Sequence, residues 1–309
     1  MKKIIFLGIV AMCQMCFGQK SIEKDLTEAK QKINKKNFEG AVAVLNKVLA
    51  TDKNNTEGYL LRAKAKAGLA DKGGALADYN KVVKLDSGNY TALVERAHLN
   101  SGLKKYELAL KDLNKAEKIS PDSMRAFAYK GETYFMTHKT DLAIENYSKA
   151  IALNPNEKHL YQKRAETYNS ANKKDLAMTD YEKILELDPK DLEARMQVAY
   201  DLLTKENFDK SKGMYEQLYK EDKKNTYILN NYAFVLFKLG EDKKAVDLLG
   251  QSVQLWPQNA YTYRYLALIF IHHEDKEQAC EAIKKGLFYG YTKKYGPELE
   301  NLKKEHCGK

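Results

Sequence analysis

The sequence predicts an all-α solenoid of about eight 34-residue helix-turn-helix units, followed by a C-terminal capping helix. Three observations carry that expectation. Prolines stand at 121, 155, 189 and 257, one or two 34-residue steps apart, each after an apolar run as in "AIALNPNEK" and "ILELDPK". Proline lacks a backbone N–H and biases the preceding residue away from helical geometry, so each of these runs reads as a helix that stops. The vacant slots of the same lattice are Lys53, Ser87 and Lys223, each following an Asp and able to keep a turn through polar neighbours. Counting units with the proline slot at position 32, position 8 reads Ala29, Ala63, Ala97, Gly131, Ala165, Ala199, Ala233 and Ala267. Position 20 reads Ala41, Ala75, Ala109, Ala143, Ala177, Ser211, Ala245 and Ala279. Small residues in every such slot predict two antiparallel helices per unit that cross closely. Larger apolar residues at positions 24 and 28, such as Tyr147 and Ile151, extend position 20 into one buried stripe at helical spacing.

The N-terminal segment "MKKIIFLGIVAMCQMCFGQK" has Lys2 and Lys3, an apolar run from Ile4 to Met12, and small residues before Gln19. This is the three-part pattern of a secretory signal peptide over residues 1–18, with cleavage expected after Gly18. A lipoprotein signal would need small residues before its cysteine, where Met12 and Met15 stand instead. A retained anchor is the remaining alternative, although the run is short for a bilayer. Cleavage removes two lysines and no acid, so the formal net charge falls from +10 to about +8. Paired lysines such as Lys173-Lys174 and Lys223-Lys224 account for most of that balance and read first as solvated helix ends. The charge is compatible with association with acidic envelope surfaces. Export argues against nucleic acid as a partner. The expected location is the periplasm or the outer membrane of a Gram-negative-type bacterium. No segment after the signal reads as transmembrane.

The units fall at 22–55, 56–89, 90–123, 124–157, 158–191, 192–225, 226–259 and 260–293. The fourth, "MRAFAYKGETYFMTHKTDLAIENYSKAIALNPNE", carries Phe127, Gly131, Tyr134, Ala143, Tyr147, Ala150 and Pro155 at the positions that define the tetratricopeptide repeat. The array from 22 to 293 resembles that family, and the resemblance implies a right-handed superhelix in which each unit buries its face against its neighbours. The match is weakest in the first unit, with Asp25 and Lys32 where aromatics are usual, and in the second, where Gly73-Gly74 opens the second helix. Fraying or docking is therefore expected at the N-terminal end.

The tail over 294–309 has Pro297 at a first helical turn and Leu299 and Leu302 at apolar spacing, as a solvating cap requires. It would run antiparallel to a helix from about Asp275 to Tyr289. Cys280 near the start of one helix and Cys307 near the end of the other could then meet. They are the two cysteines left after signal cleavage, and an oxidising compartment favours a disulfide between them.

The resemblance implies that a partner lies in a concave groove lined by the first helix of each unit. Reading the corresponding slots selects Tyr129, Glu132, Tyr200, Tyr227, Asn230, Asn231, Tyr261, Arg264 and Tyr265, with Phe234 among them. Rings give contact area at low entropy cost, and Asn side chains can pair with an extended backbone, so a protein or peptide is the expected partner. The alternative for these aromatics is a place in the core between units. The family's carboxylate clamp is not matched: Met196 and Tyr200 stand where Lys and Asn would precede Asn231. No nucleophile signature, phosphate loop or metal motif is present, and adjacent His272 and His273 point in different directions on a helix. A non-catalytic scaffold without cofactor or metal is expected. The alternative is a structural component of an envelope assembly, in secretion, gliding or wall machinery, associating through the convex face or the end units.

Overall fold

The computed structural model describes residue 19 and residues 21–308; the expected signal peptide over 1–18 lies outside them. All regular structure among the described residues is helical. Helices pair in chain order as α1 (21–34) with α2 (Phe38–Thr51), α3 (Thr56–Gly68) with α4 (Lys72–Leu85), α5 (Tyr90–Gly102) with α6 (Tyr106–Ile119), and α7 (Met124–Met136) with α8 (Thr140–Leu153). There follow α9 (Lys158–Ser170), α10 (Lys174–Leu187), α11 (Leu192–Thr204) with α12 (Phe208–Glu221), α13 (Thr226–Lys238) with α14 (Asp242–Leu255), and α15 (Ala260–His272) with α16 (Lys276–Phe288). Two short helices end the chain, α17 (Tyr291–Tyr295) and α18 (Glu298–His306). The chain divides into two compact units, Met1–Asn172 and Lys173–Lys309. Within each, the paired helices form an all-α solenoid.

The turn inside each pair uses a device that the sequence does not announce. Lys36, Ala70, Lys104, His138, Asn172, Glu206 and Glu274 all sit at φ between 57° and 60°, and Gly240 takes the equivalent place at 77°. All of them occupy position 15. After α5, the Lys105 amide donates to the Asn100 carbonyl at 2.8 Å and the Lys104 amide to Ser101 at 2.9 Å. This is the paired closure of a helix by a left-handed residue, and glycine usually supplies it. A side chain there costs about 1–2 kcal/mol, which the packing of the flanking helices must offset. The residue that follows is already the N-cap of the second helix, so each turn is short enough to force the pair antiparallel. Asp71 shows the economy: its carboxylate accepts from the Gly74 amide at 2.8 Å, and a Cβ on Gly74 would lie 2.1 Å from that carboxylate. The glycine that weakens α4 by propensity thus admits the cap.

Junctions between pairs are held by other groups. Asn55, Asn89 and Asp191 accept from the amides of Gly58, Ala92 and Ala194 at 2.7–3.0 Å and cap the next first helix. At position 4, Tyr59, Tyr161 and Tyr263 donate their hydroxyls to the carbonyls of Lys53, Pro155 and Pro257 at 3.3, 3.0 and 2.8 Å. The residue in the proline slot therefore ends one helix and anchors the following one. Tyr161→Phe should lower stability by about 1 kcal/mol and speed amide exchange selectively at the junction after α8, measured by hydrogen exchange. Unchanged exchange there would refute this role of the hydroxyl.

In the fourth unit the small residue at position 8 answers a ring. Gly131 lies against Tyr147, where an added Cβ would stand 2.8 Å from the ring. Tyr147 belongs to position 24, so close approach is dictated by that aromatic as well as by Ala143 at position 20.

In the first compact unit, polar locks tie successive pairs together. Arg62 donates from Nε and Nη2 to both oxygens of Asp78 at 2.8 and 2.7 Å, and from Nη1 to Asn46 at 2.7 Å. Arg96 repeats this with Asp112 at 2.7 Å twice and with Asn80 at 3.0 Å. Arg164 makes the contact to the preceding unit as well, Nη1 to Ser148 Oγ at 2.9 Å. A planar fork that grips its own unit's carboxylate and reaches the preceding unit fixes both separation and register. In the second compact unit the same slots hold Val198 and Met214, Tyr232 and Leu248, and Leu266 and Ala282, so uncharged side chains replace the ion pair.

Candidate functional site

The concave-face positions of the second compact unit converge on a cleft of about 340 Å³ between α11, α13 and α15. Its walls include Tyr200, Thr204, Phe234, Lys238, Tyr261 and Arg264. These residues come together because first helices of successive pairs stack, so that one face repeats every 34 residues. Phe234 stacks on Tyr265 with centroids 4.5 Å apart, and Tyr261 meets Tyr265 edge-on at 5.0 Å. The Arg264 guanidinium stands 5.1–5.9 Å from the ring centroids of Tyr265, Tyr261 and Phe234. Lys238 adds a second cation 5.4 Å from the Phe234 ring. Such ring-cation contacts are each worth about 0.5–2 kcal/mol, more where water is excluded.

Three of the residues expected to touch a partner are instead under the surface. Asn230, Asn231 and Tyr265 are 2 %, 1 % and 1 % exposed. Asn230 accepts from Thr262 at 3.1 Å, and Asn231 accepts from the Tyr265 hydroxyl at 3.1 Å. The Asn pair thus spends its acceptors on the next helix pair and holds the cleft's floor in register; it does not present itself to an extended backbone. Tyr227 is half-buried beside Tyr200, centroids 6.2 Å apart. Burial raises the hydroxyl pKa values of Tyr200, Tyr227 and Tyr265 above the ordinary phenol, so each stays a neutral donor. Below them the Tyr215 hydroxyl is buried without a hydrogen bond.

Arg264 is already engaged on one edge. Its Nε pairs with Glu298 of α18 at 2.6 Å, and Glu298 also accepts from the Tyr291 hydroxyl at 2.8 Å. Burial pushes the Glu298 carboxyl up, but the hydrogen bonds from Arg264 and Tyr291 outweigh it and hold the group below its usual range. Burial likewise works against the Arg264 charge, and the bond to Glu298 more than restores it. The cap therefore closes one side of the cleft. Glu298 follows Arg264 by 34 residues, one repeat length, so the spacing of this pair is written in the sequence. Cys280 and Cys307 form the expected disulfide, Cα atoms 5.6 Å apart, tying α18 to α16.

Tyr129 and Glu132 belong to the first compact unit. There His98 stacks on Tyr129 at 4.4 Å and its Nδ1 lies 3.6 Å from Glu132. His98 beside it lowers the Glu132 pKa, with Lys163 and His159 adding to the effect. Arg125 faces the same ring and pairs with Glu95. This wall is a lattice of alternating charges, unlike the aromatic cleft. His273 of the histidine pair is 2.7 Å from Asp242, and His272 packs edge-on to Phe237. Among the described residues, no group of three or more His, Cys, Asp or Glu is placed to hold a metal ion.

The architecture defines a class, a helical repeat protein. Comparison with known proteins gives that class its name: the family model of the tetratricopeptide repeat matches residues 90–123 and 159–191. The chain thus carries a tetratricopeptide-repeat fold, one generally used for protein–protein interaction. A crystal structure of MamA protein is 26% identical with a TM-score of 0.50, covering 56% of this chain and 94% of its own. A tetratricopeptide repeat protein from Parabacteroides merdae is 20% identical with a TM-score of 0.57, covering 80% and 98%. PilF of Pseudomonas aeruginosa is 18% identical with a TM-score of 0.59, covering 68% and 96%. The last two show likeness of fold alone. No curated protein matches the chain. No described helix is long and apolar enough to cross a membrane.

Proposed function

We propose that this chain is a non-catalytic scaffold of the cell envelope that holds a protein partner, with the aromatic cleft of its second compact unit as the working surface. The observation that carries the reading is Arg264: its Nε is taken by Glu298, while its remaining nitrogens stand among Tyr200, Phe234 and Tyr261 at the cleft wall. Rings around a partly desolvated guanidinium are the composition of interface hot spots. The partner is a peptide segment that lays an apolar or aromatic side chain against these rings and offers a carbonyl or carboxylate to Arg264. Export is supported by the leader pattern of residues 1–18 and by the disulfide, since structural disulfides persist in oxidising compartments.

A photoreactive residue replacing Lys238, at the cleft rim, tests the reading in the native envelope. One specific protein should be captured, and Tyr261→Ala should weaken its binding by roughly thirtyfold, about 2 kcal/mol. Capture that survives Tyr261→Ala unchanged would refute the cleft as the working surface. The second reading is a structural component of an envelope assembly that associates through its convex face or its end units.

A further inference from the structure

We infer that the turn joining α16 to α17 is a docking surface for an anionic lipid bilayer, with Phe288 as the inserting residue. Phe288 is 81 % exposed, more than any other large hydrophobic side chain among the described residues. It stands at the end of α16, directly before a turn whose Gly290 takes φ +83°, a left-handed conformation that glycine adopts without strain. Its ring meets that of Tyr289 edge-on at 5.1 Å, and it is no part of the cleft described above.

The surroundings supply the chemistry of the partner. From Ala282 to Pro297 the sequence "AIKKGLFYGYTKKYGP" contains four lysines and no acid. Lys284, Lys285, Lys293 and Lys294 are all exposed, and only Lys285 has an ion pair, with Glu281 at 2.8 Å. Tyr295, 40 % exposed, carries the Lys294 ammonium 5.0 Å from its ring. Tyr289 stacks on Tyr263, whose hydroxyl binds the Pro257 carbonyl, so the aromatic edge continues to the turn that holds Trp256, 49 % exposed. A protein hot spot sits within a packed, desolvated patch. A protruding ring beside three lysines without ion pairs fits the bilayer interface instead, where aromatic side chains enter the acyl boundary and lysines meet anionic headgroups. The surface adjoins the cleft, since the Tyr295 ring meets that of Tyr261 at 5.0 Å, but Phe288 itself is no part of the cleft wall.

The chain has a single tryptophan, which makes the test direct. In a W256F/F288W variant the only indole reports from position 288. Vesicles of phosphatidylcholine with phosphatidylglycerol should shift its emission to the blue and allow quenching by brominated acyl chains; vesicles of phosphatidylcholine alone should do neither. K284Q/K293Q/K294Q should raise the lipid concentration for half-maximal shift on the order of a hundredfold, roughly fivefold per lysine. Because Trp256, Phe288 and the three lysines are all exposed, both variants keep the wild-type thermal transition. An indole at 288 whose emission is unmoved by anionic vesicles overturns the proposal even if the protein pellets with them, because the apolar run of residues 4–12 would then be the membrane contact. A shift equal on neutral and anionic vesicles overturns the role of the lysines. A shift that appears without lipid as protein concentration rises means that a second copy covers the ring, and also overturns it.

Discussion

Asp112→Ala lowers the stability of the first compact unit by about 3 kcal/mol, the cost of leaving one partner of a buried ion pair alone. Asp112 is 8 % and Arg96 18 % exposed at the side chain, and two 2.7 Å bonds join them. Without the carboxylate the guanidinium keeps only Asn80, at 3.0 Å. In a linear array, damage at a middle interface also weakens coupling between neighbours, so the urea transition should broaden as well as move to lower denaturant. The paired replacement Arg96→Met with Asp112→Leu should return most of the loss, since removing both charges also removes their desolvation cost. The chain makes such an exchange itself: Tyr232 with Leu248 and Leu266 with Ala282 fill the same two slots in the second compact unit. If Asp112→Ala shifts the urea midpoint no more than an exposed control such as Glu107→Ala, the lock contributes nothing to the array.

These locks mark the boundary of what the sequence made legible. The 34-residue period followed from proline and alanine alone, because turn stereochemistry and helix crossing constrain single positions. Arg62 and Asp78, or Arg96 and Asp112, lie 16 residues apart within a unit and could have been found by the same lattice, but charged residues on a helix read first as solvated faces. The left-handed turn residue at position 15 leaves almost no mark: Lys, Ala, His, Asn and Glu all occupy it, since hydrogen bonding and packing around the turn impose the conformation. At the cleft, register placed Tyr200, Tyr261 and Arg264 on one surface. Burial of Asn230, Asn231 and Tyr265 was not legible, because it depends on Thr262 and Tyr265 reaching back from the next helix pair. Face is a property of one helix, whereas exposure is a property of two.

Cys280→Ser with Cys307→Ser frees the cap. The bridge spans 27 residues of sequence, and closing a loop of that length restricts the unfolded chain by about 3.5 kcal/mol. The loss should be local, for a repeat array transmits stability only between neighbours and α18 lies at its margin. Amides of residues 298–306 should therefore exchange several hundredfold faster, while α13 and α14 stay protected. What still holds α18 is Leu299, fully buried, and Glu298 between Arg264 and Tyr291. The folded Glu298 carboxyl lies below its unfolded value of about 4.3. Its contribution is thus complete above that value and disappears as pH falls through the lower folded one. Acid should detach the cap of the cysteine-free protein before it detaches the bridged cap, and a Glu298→Gln variant should remove that difference. Release of α18 also uncovers the Nε edge of Arg264, so partner affinity at the cleft should rise in the cysteine-free protein if the cap competes with the ligand for that edge. Equal protection of residues 298–306 with and without the disulfide would show that Leu299 and Glu298 alone secure the end of the array.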